Sequence, residues 1–275
     1  MEGKIQIADF PAVSKTALVP LYCKAIDYQA ANSILKDKFS CDLYNRIEFD
    51  WNIIKKSLRN THPLLMAIRV RKFDRMCKQF LEHHPGGIIV SLGSGIDNRF
   101  GRIDNNECYF ADIDFPKVIE FKKFITPVSE RNLMIGQSIL DYSWIRQILD
   151  LGSEHNAPVF FISEGVMIYL EISEIRELFK NIGEAFPRAE IFFDMFSVRG
   201  KKIAAYQSVF QDLEVKIKTG LNSGKLMEEW GIGFKVLSEW YFSDDPDAKR
   251  GWMKLIWSIP AMKKLEYFIH GKFEN

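Results

Sequence analysis

An excess of charge of one sign is missing from this chain: 37 Lys and Arg face 36 Asp and Glu, for a formal net charge of +1. Gripping a phosphate backbone or an anionic bilayer takes a basic excess, so neither nucleic acid nor membrane is an expected partner. Cysteine is scarce, and Cys23, Cys41, Cys77 and Cys108 include no CxxC pair. That excludes a disulfide scaffold or a zinc ribbon and predicts reduced, buried thiols in a cytosolic protein. The five histidines, His62, His83, His84, His155 and His270, form no HxH or HExxH pattern, so no metal site is expected. A GxxxxGK[ST] phosphate loop is absent, and Ser91-Leu92-Gly93-Ser94-Gly95 lacks the spacing of a GxSxG nucleophile elbow. No segment approaches the roughly 20 apolar residues of a membrane span. The opening MEGKIQIADF carries acidic side chains and no long apolar run, so a cytoplasmic location is the expectation.

What is present is a core. Hydrophobic residues make up 47% of the 275 positions, enough for one α/β domain with additions. From Ser14 to His84 apolar residues recur at helical intervals, with Ala17, Leu21, Ile26 and Ala30, then Leu64, Ala67, Ile68, Phe73, Met76, Cys77, Phe80 and Leu81. His83-His84-Pro85-Gly86-Gly87 ends this helical preface. Beyond it, short apolar runs alternate with helical patterns. The runs predict strands near Ile88–Leu92, Cys108–Ala111, Leu133–Gly136, Pro158–Ser163 and Glu190–Met195. Helices are predicted between them at Pro116–Phe124, Trp144–Leu149 and Ile172–Phe186. That order reads as a mostly parallel sheet covered on both faces. Two units follow: residues 1–86 as an N-terminal helical extension and 87–275 as the α/β core. Phe234–Tyr241 reads as a further strand, with a partner expected near Val209–Ile217. SDDPDAKRGW reads as an exposed polar loop, and the tail Trp252–Phe268 is expected to pack on the body.

The most informative stretch is GIIVSLGSGIDNRFGRIDNNECYFADIDF, from Gly87 to Phe115. A buried strand breaks into Gly93-Ser94-Gly95, and the next strand ends in Asp112-Ile113-Asp114. Strand, glycine turn, second strand and terminal carboxylate is the layout of a nucleoside site. Asn98 stands where a GxGxxG fingerprint has its third glycine, which favours a cofactor without a pyrophosphate. Gly93 and Gly95 would form a backbone floor, and Asp114 would accept from ribose hydroxyls, with Asp112 as its rival and a helix cap before Pro116 as its alternative use. Ser138 and Ile139, after the third strand, lie where a purine would sit, while Asp141 could cap the helix starting near Trp144. Glu164, an acid at an apolar strand's end, needs a partner, because an unpaired buried charge costs several kcal/mol. A cofactor amine or Arg71 are candidates. Arg69 and Arg71, at i and i+2, cannot share a helix face; Arg71 is read as the inward one, able to clamp a carboxylate. Tyr169 is read as shaping an acceptor pocket. Phe192, Phe193, Phe196, Trp240, Tyr241 and Trp252 are candidates for an aromatic substrate wall.

Together AIRVRKFD, VSLGSGIDNRF, YFADIDFPKVIEFKK, LMIGQSILDYSW and FFISEGVMIYL, in that order, resemble the leucine carboxyl methyltransferase family, which includes bacterial polyketide O-methyltransferase-like members. The resemblance spans about Leu64 to Leu170 and is thin beyond Phe196. It implies a class I methyltransferase with a Rossmann-like, mostly parallel seven-stranded sheet, using S-adenosyl-L-methionine and releasing S-adenosyl-L-homocysteine. By the same resemblance Arg71 binds the methionine carboxylate, Gly93 contacts the cofactor from the turn and Asp114 binds ribose. Ser138 and Ile139 lie near adenine, Glu164 near the amine, and Lys24 faces the cofactor. The chain departs from the family at Ser138, where aspartate is usual, and at Asp97-Asn98, where Asp-Thr or Asp-Ser is usual. The implied reaction is O-methylation of a carboxylate or hydroxyl on a small, polyketide-like acceptor, by a monomer or homodimer. The alternatives are a protein C-terminal carboxyl methyltransferase, a nicotinamide-dependent oxidoreductase and an inactive nucleoside-binding protein.

Overall fold

The computed structural model describes residues 4–6, 16–58, 62–127, 129–155, 157–206, 216–251 and 253–274. Among these residues β1 (Ile5–Gln6) and β2 (Ile47–Glu48) make a short parallel pair. The other strands are β3 (Ile88–Leu92), β4 (Tyr109–Asp114), β5 (Asn132–Gly136), β6 (Val159–Ser163), β7 (Glu190–Phe196), β8 (Phe234–Tyr241) and β9 (Glu266–Phe273). These seven form one sheet in the order β5-β4-β3-β6-β7-β9-β8. Strands β3 to β7 are mutually parallel, and β9 runs antiparallel to both β7 and β8. The mostly parallel seven-stranded sheet expected from the sequence is therefore present.

Successive side chains of a strand point to opposite faces, and here both faces are dry. Ile88, Val90, Leu92, Phe161, Ile191 and Phe193 pack on one side against the helices Trp144–His155 and Ile172–Ala185. Ile89, Phe110, Phe160, Ile162 and Phe192 pack on the other against Ile68, Phe73, Met76, Cys77 and Leu81 of the helix His62–His83. This explains why the strands read as continuous apolar runs without alternation. A third cluster joins Leu18, Leu21 and Cys23 of the helix Leu18–Gln29 to Val118 and Ile125 of the helix Pro116–Ile125. All four cysteines are free and buried. No helix among the described residues is long and apolar enough to cross a membrane.

Several expectations are corrected. Strand β4 runs on to Asp114, because Asp112, Ile113 and Asp114 stay in register with Met134, Ile135 and Gly136 of β5. Strand β8 forms where expected, but its partner is β9 from the tail. Of the segment proposed for that role, residues 209–215 lie outside the described residues and 216–217 are not in a strand. The tail does not pack as one block: Tyr267, Phe268, Ile269 and Phe273 enter the core, whereas Leu255 and Ile259 are 72% and 52% exposed. The polar segment is not simply exposed either, since Ser243, Asp245 and Ala248 are buried. Phe192 and Phe193 are core residues on opposite faces rather than a substrate wall. Trp240 packs on Phe268 and Tyr241 stacks on Tyr267. Trp252 lies outside the described residues.

Candidate active site

Parallel strands end at one edge of the sheet, and in an open α/β fold that edge receives ligands. Gly93, Asp114, Ser138, Ile139 and Glu164 each follow or close a strand there. The glycine turn leaves β3 with φ of 71° at Gly93 and 55° at Gly95, values that side-chain-bearing residues rarely adopt. Gly93 also has no room for a side chain: a Cβ would lie 2.4 Å from Val166 Cγ2. The Gly93 and Ser94 amides donate to the Ile113 carbonyl at 2.8 and 3.2 Å, tying the turn to the end of β4.

Asp114 completes that tie. Its Oδ2 accepts from the Gly95 amide and its Oδ1 from the Phe115 amide, both at 2.7 Å. It does not cap the following helix, which starts on Phe115 and Pro116 with no side-chain cap. Each oxygen keeps lone pairs for further donors, as a ribose ligand requires. Burial raises its pKa. The rival Asp112 points elsewhere, bonded at 2.6 Å to Lys122 Nζ in a buried pair.

Glu164 finds its partner in Arg69, not in Arg71. Arg69 Nε donates to Glu164 Oε1 at 3.0 Å, and Nη1 lies 3.4 Å from Asp194 and 3.6 Å from Glu266. Burial opposes the Arg69 charge, but Glu164, Asp194 and Glu266 hold its pKa above the ordinary value. Arg71 instead bonds Asp245 at 2.8 and 2.9 Å and Asp247 at 2.6 Å, pinning the polar segment. The inward arginine is therefore Arg69, and the reading of Arg71 as carboxylate clamp is not supported by its placement. Gly165, with φ of 67°, gives room to the Arg69 guanidinium, whose Nη2 would meet a Cβ there at 3.4 Å.

Behind Glu164 the charges continue as a chain. Arg99 bonds Glu164 Oε2 at 2.5 Å and Asp74 at 2.8 Å. Arg102 bonds Asp74 and Asp97, both at 2.7 Å, and Asp37 at 3.1 Å. Lys24 closes the chain on Asp97 and stands 3.5 Å from Asp37. Its side chain is only 3% exposed, so Lys24 braces the loop after Gly95 from beneath. Burial alone would raise the Asp97 pKa, yet Arg102, Lys24 and Arg99 hold it well below the usual range. The carboxylates in this assembly outnumber the cations, so its unbalanced charge is negative.

Ser138 Oγ accepts from the Leu140 amide at 3.2 Å, and Ile139 is buried with its carbonyl accepting from Trp144 Nε1 at 3.1 Å. Asp141 accepts from the amide and hydroxyl of Ser143, so it caps the turn before Trp144. Tyr169 sits in a short 3-10 turn, within electrostatic reach of Arg69 and Asp194. Burial pushes its phenol up to about 12, so it is a neutral donor rather than a base. Among the described residues no group of His, Cys, Asp and Glu could hold a metal ion.

Sequence reasoning missed Arg69 as the inward arginine, and with it Asp194, Glu266, Arg99 and Arg102. Asp194 carried a signal, an acid inside the apolar run FFDMF. Glu266 carried none, because it reaches the site only through insertion of β9 beside β7, where it pairs in register with Phe196.

The leucine carboxyl methyltransferase family model matches residues 17–183. The tetracenomycin polyketide synthesis O-methyltransferase TcmP of Streptomyces glaucescens is 24% identical over 235 residues, 85% of this chain and 84% of that protein. The S-adenosyl-L-methionine-dependent methyltransferase dpfgK of Gibberella zeae is 29% identical over 209 residues, covering 70% and 68%. Among solved structures, a DUF574-family protein from Streptomyces avermitilis aligns with a TM-score of 0.58 at 12% identity, over 96% of this chain and 100% of that one. A Thermobifida fusca protein described as a candidate methyltransferase aligns with a TM-score of 0.59 at 13% identity, over 98% and 100%. At such identity the structural likeness speaks for the fold alone.

Proposed function

The chain belongs to the leucine carboxyl methyltransferase family, and we propose that it moves the methyl group of S-adenosyl-L-methionine to an oxygen of a small, polyketide-like acceptor. It is an S-adenosylmethionine-dependent methyltransferase of the class I fold. The observation that carries the finer reading is the meeting of Gly93, Gly95, Asp114 and the Arg69–Glu164 pair at one sheet edge. An O-methyltransferase of polyketide synthesis among the relatives supports a small-molecule oxygen acceptor.

The residues fit the cofactor's chemistry. Cationic sulfur and ammonium groups suit an edge whose carboxylates outnumber its cations. Asp114 would take the ribose hydroxyls with its spare lone pairs, and Glu164, held by Arg69 and Arg99, would face the ammonium. Ile139 would cover the adenine face and Ser138 would meet its edge. Gly93 and Gly95 would lie beneath with no Cβ in the way. Arg69 takes the place first given to Arg71, and Lys24 acts through Asp97 on the glycine loop. When bound, the cofactor supplies an activated methyl on a positively charged sulfur. The chain's task is to orient the acceptor oxygen in line with it, from which proximity alone can supply much of the rate. Tyr169, a neutral phenol, would donate to that acceptor.

Titration calorimetry with S-adenosylhomocysteine, followed by labelled methyl transfer to paired hydroxyl and carboxylate compounds, tests this reading. Absence of binding overturns it. Binding with no transfer to either class would favour a nucleoside-binding protein without activity, and transfer only to a peptide C-terminus would favour the protein carboxyl methyltransferase.

A further inference from the structure

Strand β8 ends at Tyr241 beside Tyr267, and β9 begins at Glu266 beside Phe196, the last residue of β7. Residues 242–265 therefore leave and return at the strand-end edge, on the β7-β9-β8 half of it. Gly93, Asp114 and Glu164 occupy the other half. The helix Met253–Trp257 is seated by Met253, which is buried, and by Trp257, whose Nε1 donates to the Ala248 carbonyl at 2.7 Å. These two anchors are spaced i and i+4 and face inward, so Leu255 and Ile259, with the same spacing, face out. The turns continue past Trp257, with the Ser258 and Ile259 amides donating to the Leu255 and Ile256 carbonyls at 3.3 and 3.1 Å. Leu255 and Ile259 thus stay on one side, 72% and 52% exposed. Exposed Lys254, Lys263 and Lys264 flank them, and residues 249–265 include no Asp or Glu. The helix Val198–Ala205, which follows β7 at the same edge, repeats the pattern. Gly200 and Ala204 are buried, while Ile203 and Tyr206 are exposed beside Arg199 and Lys202, and residues 197–206 also lack an acid. The two segments touch: the Ser197 amide donates to the Leu265 carbonyl at 3.0 Å, and Gly200 lies against that carbonyl with no room for a Cβ.

We propose that this half of the edge is a docking surface for an anionic phospholipid bilayer, with Leu255 and Ile259 entering the acyl boundary and the lysines meeting the lipid phosphates. A lone exposed aliphatic side chain needs no explanation. Two on one helical face, ringed by cations alone and beside a second segment of the same character, are the pattern of an interfacial anchor. The nearest acids do not offset those cations. Asp245 and Asp247 are held by Arg71, and Glu266 turns to Arg69. The net charge of +1, which spoke against a membrane partner, averages over faces of opposite sign. The cofactor half of the edge carries the surplus of carboxylates, and these two segments carry only positive charge. Lipid fits the apolar tips because an acyl layer yields around protruding side chains, and a lysine stem can follow apolar surface while its head reaches a phosphate. The helices Met253–Trp257 and Pro260–Lys263 are too short to span a bilayer, so they lie in its surface. Docking there turns the β7-β9-β8 half of the edge toward the lipid. The inference goes beyond the methyltransferase reading and needs no bound cofactor.

The test is co-sedimentation of the full chain with vesicles of phosphatidylcholine alone and of phosphatidylcholine with about 30% phosphatidylserine. Wild type should partition to the anionic vesicles at least about tenfold better than to the neutral ones, and less well as salt is raised. Leu255→Ser with Ile259→Ser, and separately Lys254→Glu with Lys263→Glu and Lys264→Glu, should each weaken that partition at least about tenfold. All five side chains are exposed, so urea unfolding should match wild type and S-adenosylhomocysteine affinity should stay within about threefold. No binding to anionic vesicles, or equal binding to both kinds, overturns the proposal. Anionic binding untouched by the serine pair overturns it in favour of a purely electrostatic surface for an acidic protein. A wild-type dimer in sedimentation velocity that the serine pair turns into a monomer overturns it in favour of a second copy of the chain. Vesicle binding is scored without cofactor, so a failure to bind S-adenosylhomocysteine would sink the methyltransferase reading and leave this one standing.

Discussion

Arg69 and Arg71 stand two residues apart on one helix and serve opposite sides of it, Arg69 bonding Glu164 at 3.0 Å and Arg71 bonding Asp245 at 2.8 Å. Two positions turn an α-helix by about 200°, so one side chain enters the strand-end edge while the other leaves for the segment after β8. The same helix thereby anchors the candidate site and ties down the C-terminal third of the chain.

Arg69→Ala should weaken S-adenosylhomocysteine binding at least tenfold and destabilise the fold by about 3–5 kcal/mol, the usual cost of orphaning a buried charge. Arg71 lies away from the strand-end edge, and Arg71→Ala should leave the affinity within about threefold while costing about 1–3 kcal/mol of stability, because it leaves the buried Asp245 carboxylate without its partner. Calorimetry and urea unfolding of the two variants provide the comparison. Equal loss of affinity in both would contradict the assignment of Arg69 to the site.

Gly93→Ala meets two obstacles, a φ of 71° and the Val166 side chain at 2.4 Å. A loss of about 2–4 kcal/mol is expected from strain and overpacking together. Adding Val166→Ala should relieve the contact but not the backbone strain, so thermal unfolding should show partial recovery. A Gly93→Ala protein as stable as wild type would be inconsistent with this geometry.

Asp114 and Asp112 should separate function from stability. Asp114→Asn is expected to lower S-adenosylhomocysteine affinity by about tenfold or more, the loss of one charge-assisted hydrogen bond. Asp112→Asn should leave that affinity unchanged but destabilise the protein, because it strands Lys122 in the core. Replacing both members of that pair, Asp112→Asn with Lys122→Met, should restore part of the stability.

The acids predict opposite pH trends. Asp194 and Glu266 have folded pKa values raised to about 6 and 7, above the unfolded values of about 4. The folded state then holds protons that the unfolded chain has lost, so this pair makes stability fall as pH rises from about 4 to about 7. Asp97 and Asp74 are depressed, and the stability they contribute is present above about pH 4 and lost as pH falls below it. Melting temperature against pH should flatten between 5 and 7 in Glu266→Gln, and acid loss should lessen in Asp97→Asn. A Glu266→Gln profile parallel to wild type would remove the support for the raised value.

The sheet was legible from the chain because a strand buried on both faces is a local signal. Ile88–Leu92 carries such a run and is buried throughout, while Phe234–Tyr241, a half-exposed edge strand, is marked instead by its Val and aromatic residues; both appear where read. The glycine turn and Asp114 were legible for the same reason, since strand, turn and acid are contiguous. Which strand partners β8 was not legible, because the pairing with β9 joins residues about thirty positions apart across segments of mixed character.

The sequence by itself determined the α/β class, the glycine turn, the carboxylate after the second strand and the acid at Glu164. Each is a property of neighbouring residues and of the backbone geometry that they allow. Tertiary structure alone decided that Arg69 faces Glu164, that Lys24 braces the loop through Asp97, and that Asp194 and Glu266 share one guanidinium. A buried charge is settled by the partners that folding brings within about 4 Å of it, and those partners come from helices and strands far apart along the chain.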